Sequence, residues 1–290
     1  MSTATLRDSH RAEPTLSRRR YPRPLGYIAG GLATVLATGW VGLQVEPAPL
    51  PDTAITAGEV TTVPLPNDLP APVERFYRAL YGDRVPVVDS AVITEQGTMR
   101  IAGVTFPARF RFSHVTGQSY RHYIELTVFG ARLAAVNEWF VDGHARLELP
   151  FAVSQGSNVD QGANLALWAE CVWMPATWVT DPQAGWEPVD GTSARLTVPF
   201  GDGRETFIVD FDPDTGLLAS MESSRFKGEN DQTKTGWLNE ALEWGHIDGH
   251  PVPLSAAVTW ADEGSPWANF RTEQVVYNGD LDDYVREAGP

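Results

Sequence analysis

The chain has 290 residues, a net charge of −15 and an apolar fraction of 42%, enough for a substantial core, while 20% charged residues argues against wholesale disorder. An acidic body of this kind repels phosphate backbones, which argues against nucleic acid as a partner. One cysteine, Cys171, excludes an internal disulfide, a multi-cysteine metal site and a lipoprotein anchor, which needs a cysteine just after the apolar segment.

The charge is uneven. Arg7, Arg11, Arg18, Arg19, Arg20 and Arg23 against Asp8 and Glu13 give residues 1–24 a net +4, so the remainder carries −19. Behind this basic tail, residues 25–45 (LGYIAGGLATVLATGWVGLQV) run without a charge. At 1.5 Å per residue they match a hydrocarbon core of about 30 Å. Arginines before the segment and Glu46 after it orient the N-terminus to the cytoplasm and the rest outside, and Trp40 suits the outer interface. A loose twin-arginine resemblance in SRRRYPR and a small-x-small site, ATG at 37–39, keep a cleaved signal open as the alternative to a permanent single-pass anchor. Each reading delivers the body to the cell envelope, outside the cytoplasm.

Residues 46–70 hold Pro47, Pro49, Pro51, Pro64, Pro66 and Pro70, a composition that predicts an extended, semi-rigid tether rather than a packed element. The extracytoplasmic domain then covers 71–290. It opens with an amphipathic helix over 70–82: Pro72 suits its first turn, Val73, Phe76, Tyr77 and Leu80 share a face, and Gly82 ends it. From VPVVDSAVIT onward the pattern is alternating or continuous apolar runs separated by turns such as Asp142-Gly143, Gly201-Asp202-Gly203, FDPDTGLL and Asp248-Gly249. About ten or more strands with short connections predict an α+β fold on one strongly curved, half-barrel-like antiparallel sheet.

One stretch interrupts the strands. DQGANLALWAECVWMPATWV (160–179) reads as a short helix, apolar nearly all round, with Asn158 or Asp160 as its cap and Pro175 as its stop. A helix this apolar must be enclosed, and the curved sheet is the enclosure. Glu170 inside it is either an acid near the helix end, part-exposed or paired with a strand arginine, or a polar fixing point in an apolar groove. Cys171 reads as a small buried hydrophobe.

Catalytic signatures are absent: there is no G-x-S-x-G elbow, H-E-x-x-H, P-loop or dinucleotide glycine fingerprint. His246 and His250 have i,i+4 spacing, but HIDGHP is a hairpin turn, so the spacing does not imply a metal. His114 and His122 read as strand residues facing water or a carboxylate. Glu240 and Glu243 fit solvation better than a glycosidase pair. Glu263 and Trp267 flank a turn that could form a binding rim. Nine tryptophans lie beyond residue 45, and those at 168, 173 and 178 point to an apolar cavity as well as to core.

LPAPVERFYR, RHYIELTVFG, NEWFVDGHARLELPF, DQGANLALWAE, WEPVDGTSARLTVPFG, FDPDTGLL, WLNEALEWG and AVTWADEGSPWA together resemble a bacterial family of membrane-anchored envelope proteins of unknown function, over nearly all of residues 64–285. More loosely, a curved antiparallel sheet with an inserted helix is similar to the periplasmic lipoprotein carriers, whose open half-barrel holds acyl chains around a helix.

The resulting expectation is an envelope protein that binds a lipid or other hydrophobic molecule through Trp168, Glu170, Trp173, Met174 and Trp178. Glu170 and an arginine or tryptophan would fix its orientation. No catalytic residue, cofactor or metal is expected. A scaffold using the same sheet for a protein partner is the alternative, and a hydrolase of envelope glycans or lipids is a third. A filled core favours the scaffold, and a converging His/Asp/Glu cluster in a cleft favours the enzyme.

Overall fold

The computed structural model describes residues 24–281, 284–286 and 289, with side chains from Gly30 onward except at Arg286. The basic tail therefore lies outside the described residues, apart from Pro24. By compactness the chain divides after Trp40. The N-terminal unit contributes most of a helix, α1 (Pro24–Gly42), over the segment expected to cross the membrane. Among the described residues no helix is long and apolar enough for a membrane span. The helix is thus observed and the span is not, in keeping with a composition diluted by Gly30, Gly31, Thr34, Thr38, Gly39 and Gly42. It also ends at Gly42 rather than near Val45, where the Gly42 carbonyl accepts from Phe129 N–H at 2.8 Å.

The second unit, Val41–Pro290, begins with the proline-rich stretch. That stretch is extended but not a free tether. Gln96 donates to the Pro47 carbonyl (3.0 Å), Arg109 to that of Ala48 (2.8 Å) and Arg111 to that of Pro51. A short strand, β1 (Thr62–Pro64), pairs with β2 (Arg84–Pro86) on either side of helix α2 (Ala71–Tyr81). Prolines remove donors and leave carbonyls, and body side chains with spare N–H groups satisfy them. Helix α2 matches its prediction: Val73, Phe76 and Tyr77 are buried, and Gly82 follows at φ +73°.

The remaining strands are β3 (Ser90–Ile101), β4 (Val104–Val115), β5 (Ser119–Val128), β6 (Ala131–Val141), β7 (His144–Leu149), β8 (Ala152–Gln155), β9 (Gly185–Pro188), β10 (Ser193–Phe200), β11 (Gly203–Phe211), β12 (Leu218–Arg225), β13 (Thr235–Ile247), β14 (His250–Trp260) and β15 (Pro266–Tyr277). They form one antiparallel sheet of 13 strands, ordered β8-β7-β6-β5-β4-β3-β15-β14-β13-β12-β11-β10-β9. Two tight hairpins show the chemistry read from the sequence. Asp142 and Gly143 have φ of 54° and 80°, Asp248 and Gly249 of 50° and 83°, the paired positive values of a type I′ turn.

Between β8 and β9 the chain forms α3 (Ser157–Ala169), a 3-10 turn (Glu170–Trp173) and α4 (Thr177–Thr180). At 13 residues α3 has the expected length but starts and ends earlier than expected, since the turn tightens from Glu170 and Pro175 lacks the N–H to continue. Neither suggested side chain caps it. Asn158 instead donates to the Glu229 and Asp231 carbonyls, and Asp160 accepts from Ala145 N–H at 2.6 Å. Every residue of α3 from Gln161 to Ala169 is buried. Thirteen strands laid flat would span about 60 Å, against about 10–12 Å for a helix. Yet α3 touches β6, β7 and β8 near one edge and β10 and β12 near the other. The sheet must therefore curl around the helix, and since β8 and β9 do not pair, it stays open.

Candidate functional site

Strand register assembles the site. Phe112 on β4 opposes His122 on β5, which opposes Glu138 on β6; one row away stand His114, Tyr120 and Phe140. All six share one face by the two-residue period of a strand, and it is the face toward α3. Glu170, from the turn after α3, brings its Oε2 to 2.8 Å from His122 Nε2 and 3.0 Å from His114 Nε2. Only the His122 contact is aligned as a hydrogen bond; His114 is fully buried, and neither of its ring nitrogens has a hydrogen-bond partner among the described residues. On its other side His122 Nδ1 lies 3.5 Å from Glu138 Oε2. Tyr120 donates to Glu138 Oε1 at 2.6 Å, and its ring stacks on His122 at 4.0 Å.

Burial opposes every charge in this cluster, and mutual attraction overcomes it for three groups. Burial pulls the His122 pKa down, but Glu170 and Glu138 raise it to about 9. Burial pushes Glu170 up, but His122, then His114, hold it at about 2. Glu138 is likewise lowered against burial by His122, Tyr120 and Arg225. At His114 burial wins and the pKa falls, so its imidazole stays neutral. Glu95, on the same inward face of β3, is fully buried. Its Oε1 accepts from Thr272 at 2.8 Å, its Oε2 has no partner among the described residues, and burial pushes its pKa up to about 8.

The cluster borders a cavity. A space of about 120 Å³ is lined by Phe112, His122, Glu138, Glu170 and Trp173 together with apolar side chains of α3, β13, β14 and β15. Met99, Ile124, Glu138, Arg225 and Trp267 line both this space and a wider mouth of about 410 Å³. Three cations line that mouth. Arg100 is held by Glu263 at 2.5 Å, and Lys227 by Asp262 at 2.7 Å and Glu263 at 2.8 Å. Arg225 differs: no carboxylate reaches it within 4.0 Å among the described residues, and its Nε lacks a hydrogen-bond partner. Its guanidinium lies 4.6 Å from the centroid of Trp237 and 5.5 Å from that of Trp260, where cation–π attraction holds it. Gly162 makes room for it, since a Cβ there would stand 2.7 Å from Arg225 Nη2.

The residues singled out from the sequence divide. Glu170 and Trp173 line the cavity. Trp168, Met174 and Trp178 are buried in the core, with Trp178 Nε1 donating to the Trp168 carbonyl at 2.9 Å. Glu170 pairs with two histidines, not an arginine, and His114 and His122 face a carboxylate but not water. Glu138 and Arg225 escaped the sequence reading. Their signal was there: Glu138 alternates with Val136 and Phe140, and Arg225 with Met221 and Ser223, as polar residues on an otherwise inward face.

A family model covers residues 58–272, that of the family of unknown function DUF6544. The chain belongs to the DUF6544 family. Among curated proteins none matches it. Of solved structures, this family member is similar to a LolA superfamily protein from Nitrosomonas europaea, at 10% identity and a TM-score of 0.44 over 75% of this chain and 96% of that one. It is also similar to a DUF1329 family protein from Desulfovibrio piger, at 16% identity and a TM-score of 0.41 over 69% and 90%. A likeness this distant says nothing of function.

Proposed function

We propose that this DUF6544 protein binds an amphiphile with one anionic head and an apolar tail, the tail in the cavity and the head at Arg225. The observation that carries the reading is Arg225 itself: among the described residues a cation with no carboxylate within 4.0 Å, packed against two tryptophans at the neck joining an apolar cavity to an open mouth. At about 120 Å³ the cavity is smaller than the roughly 150 Å³ that takes a benzene-sized molecule, so a chain must also occupy the mouth of about 410 Å³. Each buried methylene contributes about 0.8 kcal/mol, and a charge-assisted hydrogen bond at the head about 1.5–3 kcal/mol. In this proposal residues 25–45 anchor the chain in the cell membrane and the body works outside the cytoplasm.

Hexadecanoate and hexadecanol test it. Hexadecanoate should quench or shift tryptophan emission, because Trp237, Trp260 and Trp267 surround the neck, and the alcohol should bind more weakly. Arg225→Gln should weaken hexadecanoate about ten- to hundredfold and bring the two ligands level. No response to either would favour the scaffold. One observation favours a second reading, an envelope hydrolase: His114, His122, Glu138 and Glu170 converge beside the cavity. Turnover of an acyl ester that disappears in His122→Gln would support it.

A further inference from the structure

We infer that His114, His122 and Glu170 form a binding site for one divalent transition-metal ion, with the cavity as its open side. The inference does not rest on the amphiphile, whose head is assigned to Arg225, although both sites face the same cavity.

Three donor atoms of the right kinds already converge. His114 Nε2, His122 Nε2 and a Glu170 carboxylate oxygen lie within 4.8 Å of one another, with 2.8 and 3.0 Å between each imidazole and the oxygen. Tetrahedral zinc at about 2.0–2.1 Å sets donors roughly 3.3 Å apart, so each imidazole would part from the carboxylate oxygen by a few tenths of an ångström, and the two nitrogens would settle at the same spacing from within 4.8 Å of each other. Two imidazoles and a carboxylate with a fourth position open is a donor set that zinc and ferrous iron accept.

His114 supplies the second observation. A fully buried imidazole with no aligned hydrogen bond at either nitrogen among the described residues is costly, and the 3.0 Å approach of its Nε2 to Glu170 Oε2 does not supply one. A metal ion would satisfy it, accepting its lone pair at Nε2. The surroundings of His122 agree. Glu138 near Nδ1 is the carboxylate that commonly orients a metal-binding histidine, leaving Nε2 to bind, and Tyr120 in turn fixes Glu138. Two ligands sit on adjacent strands of a paired register, so the site is rigid before any ion arrives. Its open side is the cavity, bordered by His122 and Glu170 but not by His114.

Cobalt(II) titration of the full-length protein is the test. One equivalent should develop the intense visible bands of a low-coordinate nitrogen and oxygen site, and zinc should bleach them. His114→Gln and Glu170→Gln should each weaken binding by at least tenfold, while His144→Gln, at an exposed histidine beside Asp160, should leave it unchanged. Because a buried substitution can itself prevent folding, X-ray absorption of the zinc-loaded native chain supplies a readout free of variants: its spectrum should require two imidazoles at about 2.0–2.1 Å. Failure to bind one equivalent, a fit without imidazole, or binding indifferent to both substitutions would overturn the site.

Discussion

A carboxyl group with no exposed surface ionises only at a cost, and Glu95 meets that condition with a single hydrogen bond among the described residues, from Thr272. Burial moves its pKa from the usual 4.5 to about 8. Between those two values the folded chain holds a proton that the unfolded chain has released. The stability Glu95 contributes therefore falls as pH rises through that window, by up to about 1.4 kcal/mol per unit, and levels off above it. Glu95→Gln removes this slope. Urea midpoints should show the variant gaining on the native chain steadily from about pH 5 to pH 8; parallel curves would mean that Glu95 is ionised in the fold. Glu170 works in the opposite sense, its depressed pKa marking an ion that the fold favours. Glu170→Gln leaves His122 buried beside only Glu138, and breaking a buried pair costs about 3–5 kcal/mol. Urea unfolding should register that loss, while hexadecanoate affinity should move far less than in Arg225→Gln. Gly162→Ala is the converse case. The added methyl meets the guanidinium of Arg225, not backbone, so the melting temperature should hardly change while the displaced guanidinium lowers affinity for hexadecanoate over hexadecanol.

At the scale of elements, local physics made much of the fold legible. Alternation in ARFRFSHV and RHYIELTVF, with turn pairs such as Asp142-Gly143, gave strands that do pair as neighbours, and the apolar stretch after Gly156 became the enclosed helix. The site was less legible because its members come together through register. His122 meets Glu138 across one hairpin but Glu170 from 48 residues away, and no spacing rule links them. The proline-rich stretch was misjudged for a related reason: composition predicts an extended backbone, while docking depends on Gln96, Arg109 and Arg111, far along the chain. Truncation measures the difference. A chain beginning at Leu43 should melt above one beginning at Pro64, since the shorter chain leaves Gln96, Arg109 and Arg111 without these acceptors and loses most of the β1–β2 pairing. Equal melting temperatures would return the stretch to a tether.

For the whole molecule the open question is address, and charge is the argument for it. Arginine-rich residues 1–24 carry +4 and the rest of the chain −19, with the uncharged segment 25–45 between them. Positive charge resists translocation and acidic charge has little effect, so in the proposed topology this order would hold the tail in the cytoplasm and let the body cross. The observed helix α1 covers most of the segment, and its small residues make it only moderately apolar. A reporter active only outside the cytoplasm, fused after Pro290, should therefore be active, and the full chain should stay with membranes through a carbonate wash. Replacing Arg18, Arg19 and Arg20 by Glu should reduce that activity, because the asymmetry setting the orientation is then removed. Activity of a cytoplasmic reporter in the native chain would reverse the topology, and native chain released into the soluble envelope fraction would identify the segment as a cleaved signal.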